Sequence, residues 1–251
     1  MFFTLYTSDA SHWAYGAHLT LDEQGYDPSE YEVKQIGLVD GVMERISHLN
    51  TSKFSPDGTI PSLISAALQE PLVESADVLK YLDSNLSKGP SLLPENPKQH
   101  SKIEEPIAHV HQPQLSINLI LLQARDVQEL NPKKASFWND FVDSRQDKLT
   151  KYGAAHLEIP LLDLIPEHER FFDDSHQGYK VFPAGLRELD SMLVMPYAAG
   201  ERVTAADMHI VPCFAHALWA AGGETIYEFG PLEELIRKSV PDFEFGERTK
   251  V

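Results

Sequence analysis

Three short stretches of this chain stand out by residue type and spacing, and the side chains of two of them suit the holding of an anion. The first is Thr7-Ser8-Asp9-Ala10-Ser11-His12, preceded by Tyr6, which gathers hydroxyls, a phenol and an imidazole in one loop. A hydroxyl there can donate to an anionic oxygen or sulfur, and a helix starting just after it adds unpaired N–H groups and a positive dipole end. The second is Glu74-Ser75 at the opening of another helix, where a serine hydroxyl and N–H suit a carboxylate and the glutamate can accept from an ammonium. The third is Ile60-Pro61, where the proline pushes residue 60 out of the right-handed helical region. Each has a plain reading too: Ser11 as a helix N-cap, Glu74-Ser75 as a cap with an acidic neighbour, and Pro61 as the start of an edge strand.

The remaining reactive residue types point away from chemistry. Cys213 is the sole cysteine and sits in an apolar helical stretch, which reads as a buried small hydrophobe. His109 and His111 are two apart, so they fall on different helix faces, and no third ligand is spaced to complete a zinc site; no metal is assigned. His209 and His216 read as polar positions of a helix.

The elements that must position these residues follow from periodicity. Phe2 to Tyr6 reads as a strand, Ser11 to Gln24 as a helix with Gly25 as its stop, and Tyr31-Glu32-Val33 as a strand. A further helix is expected near Val39 to Leu49, then a polar loop from Asn50 to Thr59. Strands at Ile60 to Ile64 and Leu68 to Leu72 and a helix from Glu74 to Leu82 follow. From Asp83 to Lys102 the composition turns to Ser, Asn, Gly, Pro, Lys and Gln, which reads as a linker.

Beyond it the chain reads as helical. Asn131-Pro132 opens one helix, and Thr204-Ala205-Ala206-Asp207 opens another in the manner of a capping box, with Pro212 predicting a kink or break; Ala155 to Lys180 reads as an irregular excursion. The fold class is an α/β thioredoxin-like N-terminal domain at 1–86, a linker at 87–102, and an all-α helical C-terminal domain at 103–251.

Composition bounds the function. The 251 residues carry a net charge of -17, and no basic patch is visible to reverse the repulsion of phosphates, so nucleic acid is not an expected partner. No apolar run is long enough to cross a bilayer, and a single cysteine gains nothing from an oxidising compartment; a cytoplasmic, non-membrane protein is expected.

Ile60-Pro61-Ser62-Leu63, Glu74-Ser75 and Thr204-Ala205-Ala206-Asp207 fall in the order and spacing of three family motifs: a V/I-P-x-L strand entry, an E-S helix start and an S/T-x-A-D helix cap. Together they resemble the cytosolic glutathione transferases over almost the whole chain. The resemblance implies glutathione as cosubstrate, a cis Ile60–Pro61 bond whose exposed backbone pairs with the tripeptide, and Glu74 and Ser75 on its γ-glutamyl end. Lys53 is the candidate for the glycyl carboxylate, although 50–60 is longer than the usual connection and Asn50-Thr51 stands where the family has Asn-Pro.

A free thiol has a pKa of about 8.5, and lowering it by ~2 units takes roughly 2.7 kcal/mol, within reach of a hydroxyl hydrogen bond plus a helix N-terminus. A gap-free count against the serine-using pattern puts Ser11 in that role; Ser8, Tyr6 and His12 stay open, and Asp9 opposes it. The implied activity is transfer of glutathione to a hydrophobic electrophilic small molecule by a homodimer. The competing reading is a non-catalytic transferase-like binding module. A thiol reductase is disfavoured because no cysteine stands at the first helix.

Overall fold

A computed structural model of the chain describes residues 2–8, 11–35, 60–85, 89–94, 96–116, 126, 128 and 166–220. Strand β1 (Phe3–Thr7) leads into helix α1 (His12–Glu23), which returns through Gly25, at φ 67°, to strand β2 (Tyr31–Gln35). Glycine takes that left-handed turn without the Cβ penalty other residues meet. β2 runs parallel to β1, with Leu5 opposite Val33. Strand β3 (Ser62–Ser65) lies on the other side of β1, antiparallel, with Tyr6 opposite Ser62, so the described strand order is β2-β1-β3. Helix α2 (Ser75–Asn85) follows.

Helix α3 (Pro97–Val110) begins inside the stretch read as linker. Asn96 caps it, its side chain accepting the Lys98 N–H at 3.0 Å, and Pro97 stands at the first helical position, where its missing N–H costs nothing. The polar composition of that stretch was therefore partly a cap signal. Helix α4 (Pro166–Met192) covers 166–180, where an irregular excursion was expected. Phe172, Ser175, Phe182, Leu186 and Leu189 are buried along it at near-helical spacing, a stripe obscured by the surrounding charges and by Gly178 and Pro183. Helix α5 (Ala205–Ala220) runs through Pro212 without the expected break. The second strand expected at 68–72 is a single bridge, Leu63 to Leu72: Leu68 turns back to Ser65, and Pro71 brings no N–H to a ladder. The expected helices near 39–49 and after Asn131 lie outside the described residues.

One apolar cluster runs from the sheet into the helices. Phe3, Leu5 and Leu63 of the sheet, Leu21 of α1, Leu82 of α2 and Ile210 of α5 are each no more than 1% exposed within it. Burying such a side chain is worth about 1.5–3 kcal/mol, so this cluster fixes how the helices sit on the sheet.

α1 packs against both α2 and α5. Its Gly16 is the point of closest approach to α5, where an added Cβ would stand 2.5 Å from the Met208 carbonyl oxygen. Because that atom is backbone, Gly16→Ala is expected to push the two helices apart and cost about 1–3 kcal/mol in urea unfolding. An unchanged midpoint would show that the contact yields.

Candidate functional site

The strand register decides which sequence-predicted residues meet. β1 ends at Thr7 and the chain reaches Ser11 four residues on, while Ser62, opposite Tyr6, follows directly on Ile60–Pro61. Leu72 pairs with Leu63 through two backbone hydrogen bonds, of 2.8 and 3.0 Å, and is followed by Val73, Glu74 and Ser75. The β1–α1 turn, the Ile60–Pro61 turn and the start of α2 thus converge at one end of the sheet. The Ile60–Pro61 bond is cis. Lys53 and Asp9 lie outside the described residues.

Ser11 is the N-cap of α1, in extended backbone at φ -113°, ψ 110°. Its N–H donates to the Ser8 carbonyl at 3.0 Å, and its own carbonyl accepts from Tyr15 at 3.0 Å. Its Oγ accepts from the Ala14 N–H at 3.4 Å, a long contact. Capping uses the oxygen's lone pair and not its hydrogen, so the same hydroxyl can cap the helix and donate to an anion beside the helix start.

The alternatives in this loop are placed differently. Ser8 is 4% exposed. Tyr6 is buried in the strand, with the Lys34 ammonium 5.6 Å from its ring centroid. At α2, the Glu74 carbonyl accepts the Val78 N–H at 3.0 Å, so Ser75 is the first helical residue and its N–H belongs to the open end of the helix. Glu74 is exposed and Ser75 half-buried.

His12 faces the helical half. Its ring centroid is 5.4 Å from that of His216 on α5 and 4.3 Å from that of Trp13. Trp13 stacks on His111 at 4.4 Å and 10°, and His111 Nε2 hydrogen-bonds His209 Nδ1 at 3.0 Å. Imidazoles from α1, α5 and the end of α3 thereby line one seam.

Burial, with the neighbouring imidazoles His216 and His111, lowers the His12 pKa to about 3. Burial and His111 lower that of His209 to about 3. Burial lowers His216 to about 4 and, in direction, His111 as well. All are neutral at pH 7, so His12 brings no positive charge to the Ser11 turn. His209 is 5% exposed, a correction to its reading as an ordinary helix polar position. A usable signal existed: His209 and His216 are seven apart, on one face of an otherwise apolar helix.

Two further groups stand as follows. Cys213 is 1% exposed, its thiol pushed by burial to about 12. The Asp207 carboxylate accepts from Ala198 N–H at 2.8 Å, Thr204 N–H at 2.8 Å and the Thr204 hydroxyl at 2.9 Å. This is the backbone half of a capping box, with the Thr204 hydroxyl donating to the carboxylate where the motif would have it accept the Asp207 N–H. No group of His, Cys, Asp and Glu among the described residues is arranged to hold a metal ion, and no described helix is long and apolar enough to cross a membrane.

Residues 5–91 match the family described as glutathione S-transferase, N-terminal domain. No curated protein sequence matches the chain. Among solved structures, a glutathione transferase homolog from Sulfitobacter with bound glutathione is similar at TM-score 0.63 and 14% identity, covering 94% of this chain and 91% of that one. Human glutathione-S-transferase T1-1 is similar at 0.62 and 16%, covering 98% and 84%. A maleylacetoacetate isomerase from Methylobacterium extorquens AM1 with bound malonate and glutathione is similar at 0.60 and 18%, covering 94% and 90%. Identities this low speak for the fold alone. Residues 5–91 are thus similar to that family's N-terminal domain, and the chain has the glutathione S-transferase fold, a thioredoxin-like sheet domain joined to helices.

Proposed function

We propose that the protein binds glutathione at the converging ends of β1, β3 and α2 and uses its thiolate against a hydrophobic electrophile held toward the helices. The observation that carries this reading is the convergence itself. One sheet end brings together a hydroxyl at a helix start, the backbone beside Pro61 and a second helix start bearing Ser75, three features suited to a sulfur anion, an extended peptide and a carboxylate.

Ser11 donates its hydroxyl hydrogen to the thiolate. Ile60 offers backbone to the tripeptide, Ser75 receives the γ-glutamyl carboxylate, Glu74 its ammonium, and Lys53 the glycyl carboxylate. Positioning and thiolate stabilisation supply the rate, and no metal enters. The domains in this reading are 1–86 and 103–251, joined by 87–102, and the working unit is a cytoplasmic homodimer. Two relatives of the same fold hold glutathione, which supports the ligand.

The test is a pH titration of bound glutathione followed by thiolate absorbance. The thiol is expected to ionise about 2 units below its free value of about 8.5, and Ser11→Ala is expected to return most of that shift. Binding without any shift favours a non-catalytic glutathione-binding module; absence of binding overturns the site.

A further inference from the structure

A hydroxyl stabilises an anion only when it is well aimed, because hydrogen bonds weaken steeply as they bend. The local hold on the Ser11 hydroxyl is slight: its oxygen takes the Ala14 N–H at 3.4 Å. The first turn of α1 is itself coherent, since the Ser11 carbonyl accepts from Ala14 at 3.1 Å and from Tyr15 at 3.0 Å. Whatever fixes that turn against the rest of the molecule therefore also fixes Ser11.

That hold comes from the helical half, through Trp13, the second residue of α1. His111, the C-cap residue of α3, lies flat on it, with ring centroids 4.4 Å apart and planes within 10°. His111 Nε2 hydrogen-bonds His209 Nδ1 at 3.0 Å, and His209 is buried on α5. Although His111 is exposed as a residue, its ring thus has two fixed partners, one on α1 and one on α5. The contact of His12 with His216 on the same turn is looser, at 5.4 Å and a tilt of 50°.

We propose that His111 is a positioning residue for thiol activation. Stacked on Trp13 and tied to His209, it holds the first turn of α1, and with it the Ser11 hydroxyl, in the orientation that serves the bound sulfur. The step served is loss of the thiol proton to solvent, with the electron pair left on sulfur and met by the Ser11 hydrogen. The inference rests on the glutathione reading above. It adds that activation needs the helical half as well as the sheet end, because preorganised donors act only where their supports hold them.

The test compares full-length wild type, His111→Ala, His111→Phe and His109→Ala, following the thiolate absorbance of bound glutathione against pH. His111→Ala is expected to raise the bound thiol pKa by about 1 unit, a roughly tenfold loss in ionisation constant. Its Kd for glutathione at about pH 6, where the thiol is largely protonated, is expected to stay within about twofold of wild type. His111→Phe keeps a flat ring on Trp13 and is expected to recover about half of the change or more. His109→Ala breaks the 2.9 Å bond from His109 Nε2 to the Gly185 carbonyl, which joins α3 to α4, and controls for general loosening. It is expected to leave the thiol pKa where it was.

Amide hydrogen exchange without glutathione gives a second readout. The Ala14 and Tyr15 amides are expected to exchange about fivefold faster in His111→Ala, the worth of one stacked pair. A thiol pKa that His111→Ala leaves unchanged, or that His109→Ala raises equally, overturns the role while the glutathione reading stands. Unchanged exchange at Ala14 and Tyr15 does the same. A wild-type thiol that binds without any shift overturns thiolate activation and this role together, so the wild-type titration tells the two failures apart.

Discussion

Between about pH 6.5 and pH 5 the protein is expected to lose roughly 2–4 kcal/mol of stability through the imidazole seam alone. His12, His209 and His216 have folded pKa values lowered from 6.5 to about 3, about 3 and about 4. In the unfolded chain they take up protons as the pH passes 6.5, while the folded chain keeps them neutral. The unfolded state then binds more protons, so stability rises with pH in this window and falls on acidification. Each neutral imidazole contributes up to about 1.4 kcal/mol per pH unit; buried His209 comes near that value, and half-buried His12 and His216 contribute less through solvent screening.

Asp207 acts in the opposite sense. Burial raises its carboxyl, and although the Ala198 and Thr204 hydrogen bonds work against this, the net direction is up. Its protonation therefore favours the folded state as the pH falls, which offsets part of the loss. Urea midpoints at about pH 7, 6 and 5 check the sum, and His209→Gln is expected to flatten the slope. A midpoint that does not move over this range would mean that the seam admits protons without opening.

What could be read from the sequence divides by the range of the interaction that determines it. α1 was legible because its signals are local: Ser11 at the cap, apolar positions along one face and Gly25 beyond the end. β1 and β2 were legible for the same reason. The start of α3 was not, since Asn96-Pro97 is a helix start and a loop dipeptide at once, and the outcome depends on Ile103 and Val110 reaching the common core. α4 was hidden because its buried stripe is thin among charged residues and becomes decisive only when Leu115 and its neighbours pack against it near Gly185.

The candidate site shows the same division. Ser11, Ile60–Pro61 and Glu74–Ser75 could be picked out as local motifs, but their convergence is a property of strand register, which no spacing displays. The imidazole seam was missed because its members are 12, 111, 209 and 216 in sequence, and each alone looks like an ordinary polar residue. Only α1 packing directly on α5 through Gly16 turns them into one group.

Asp83 belongs to the same class of long-range residue, and its removal is expected to be among the most damaging single changes in the described structure. It stood at the margin between a helix and a presumed linker, yet it is 5% exposed. Its carboxylate accepts from Gln24 Nε2 and the Leu92 N–H at 2.8 Å, the Ser91 hydroxyl at 3.1 Å and the Leu93 N–H at 3.3 Å. Gln24 in turn accepts the Gly89 N–H at 3.1 Å and donates to the Pro90 carbonyl at 3.2 Å. One buried carboxylate thereby ties the end of α1 and the end of α2 to residues 89–93, through which the chain leaves the sheet for the helices. The Leu92 carbonyl then accepts the Ala205 N–H at 3.0 Å, carrying the tie to the start of α5.

Asp83→Ala leaves the Leu92 N–H and the Gln24 amide without their acceptor in a buried setting. With hydrogen bonds to a charged group worth about 1.5–3 kcal/mol each, the loss is expected to reach about 3–6 kcal/mol, a large part of a typical domain's stability. Asp83→Asn keeps one acceptor oxygen but turns an NH₂ toward groups that themselves donate, so it should fall between wild type and Ala. Urea unfolding of the two variants at about pH 7 decides it. A loss under about 1 kcal/mol for Asp83→Ala would mean that water reaches these donors and that the passage between the halves is held by packing alone.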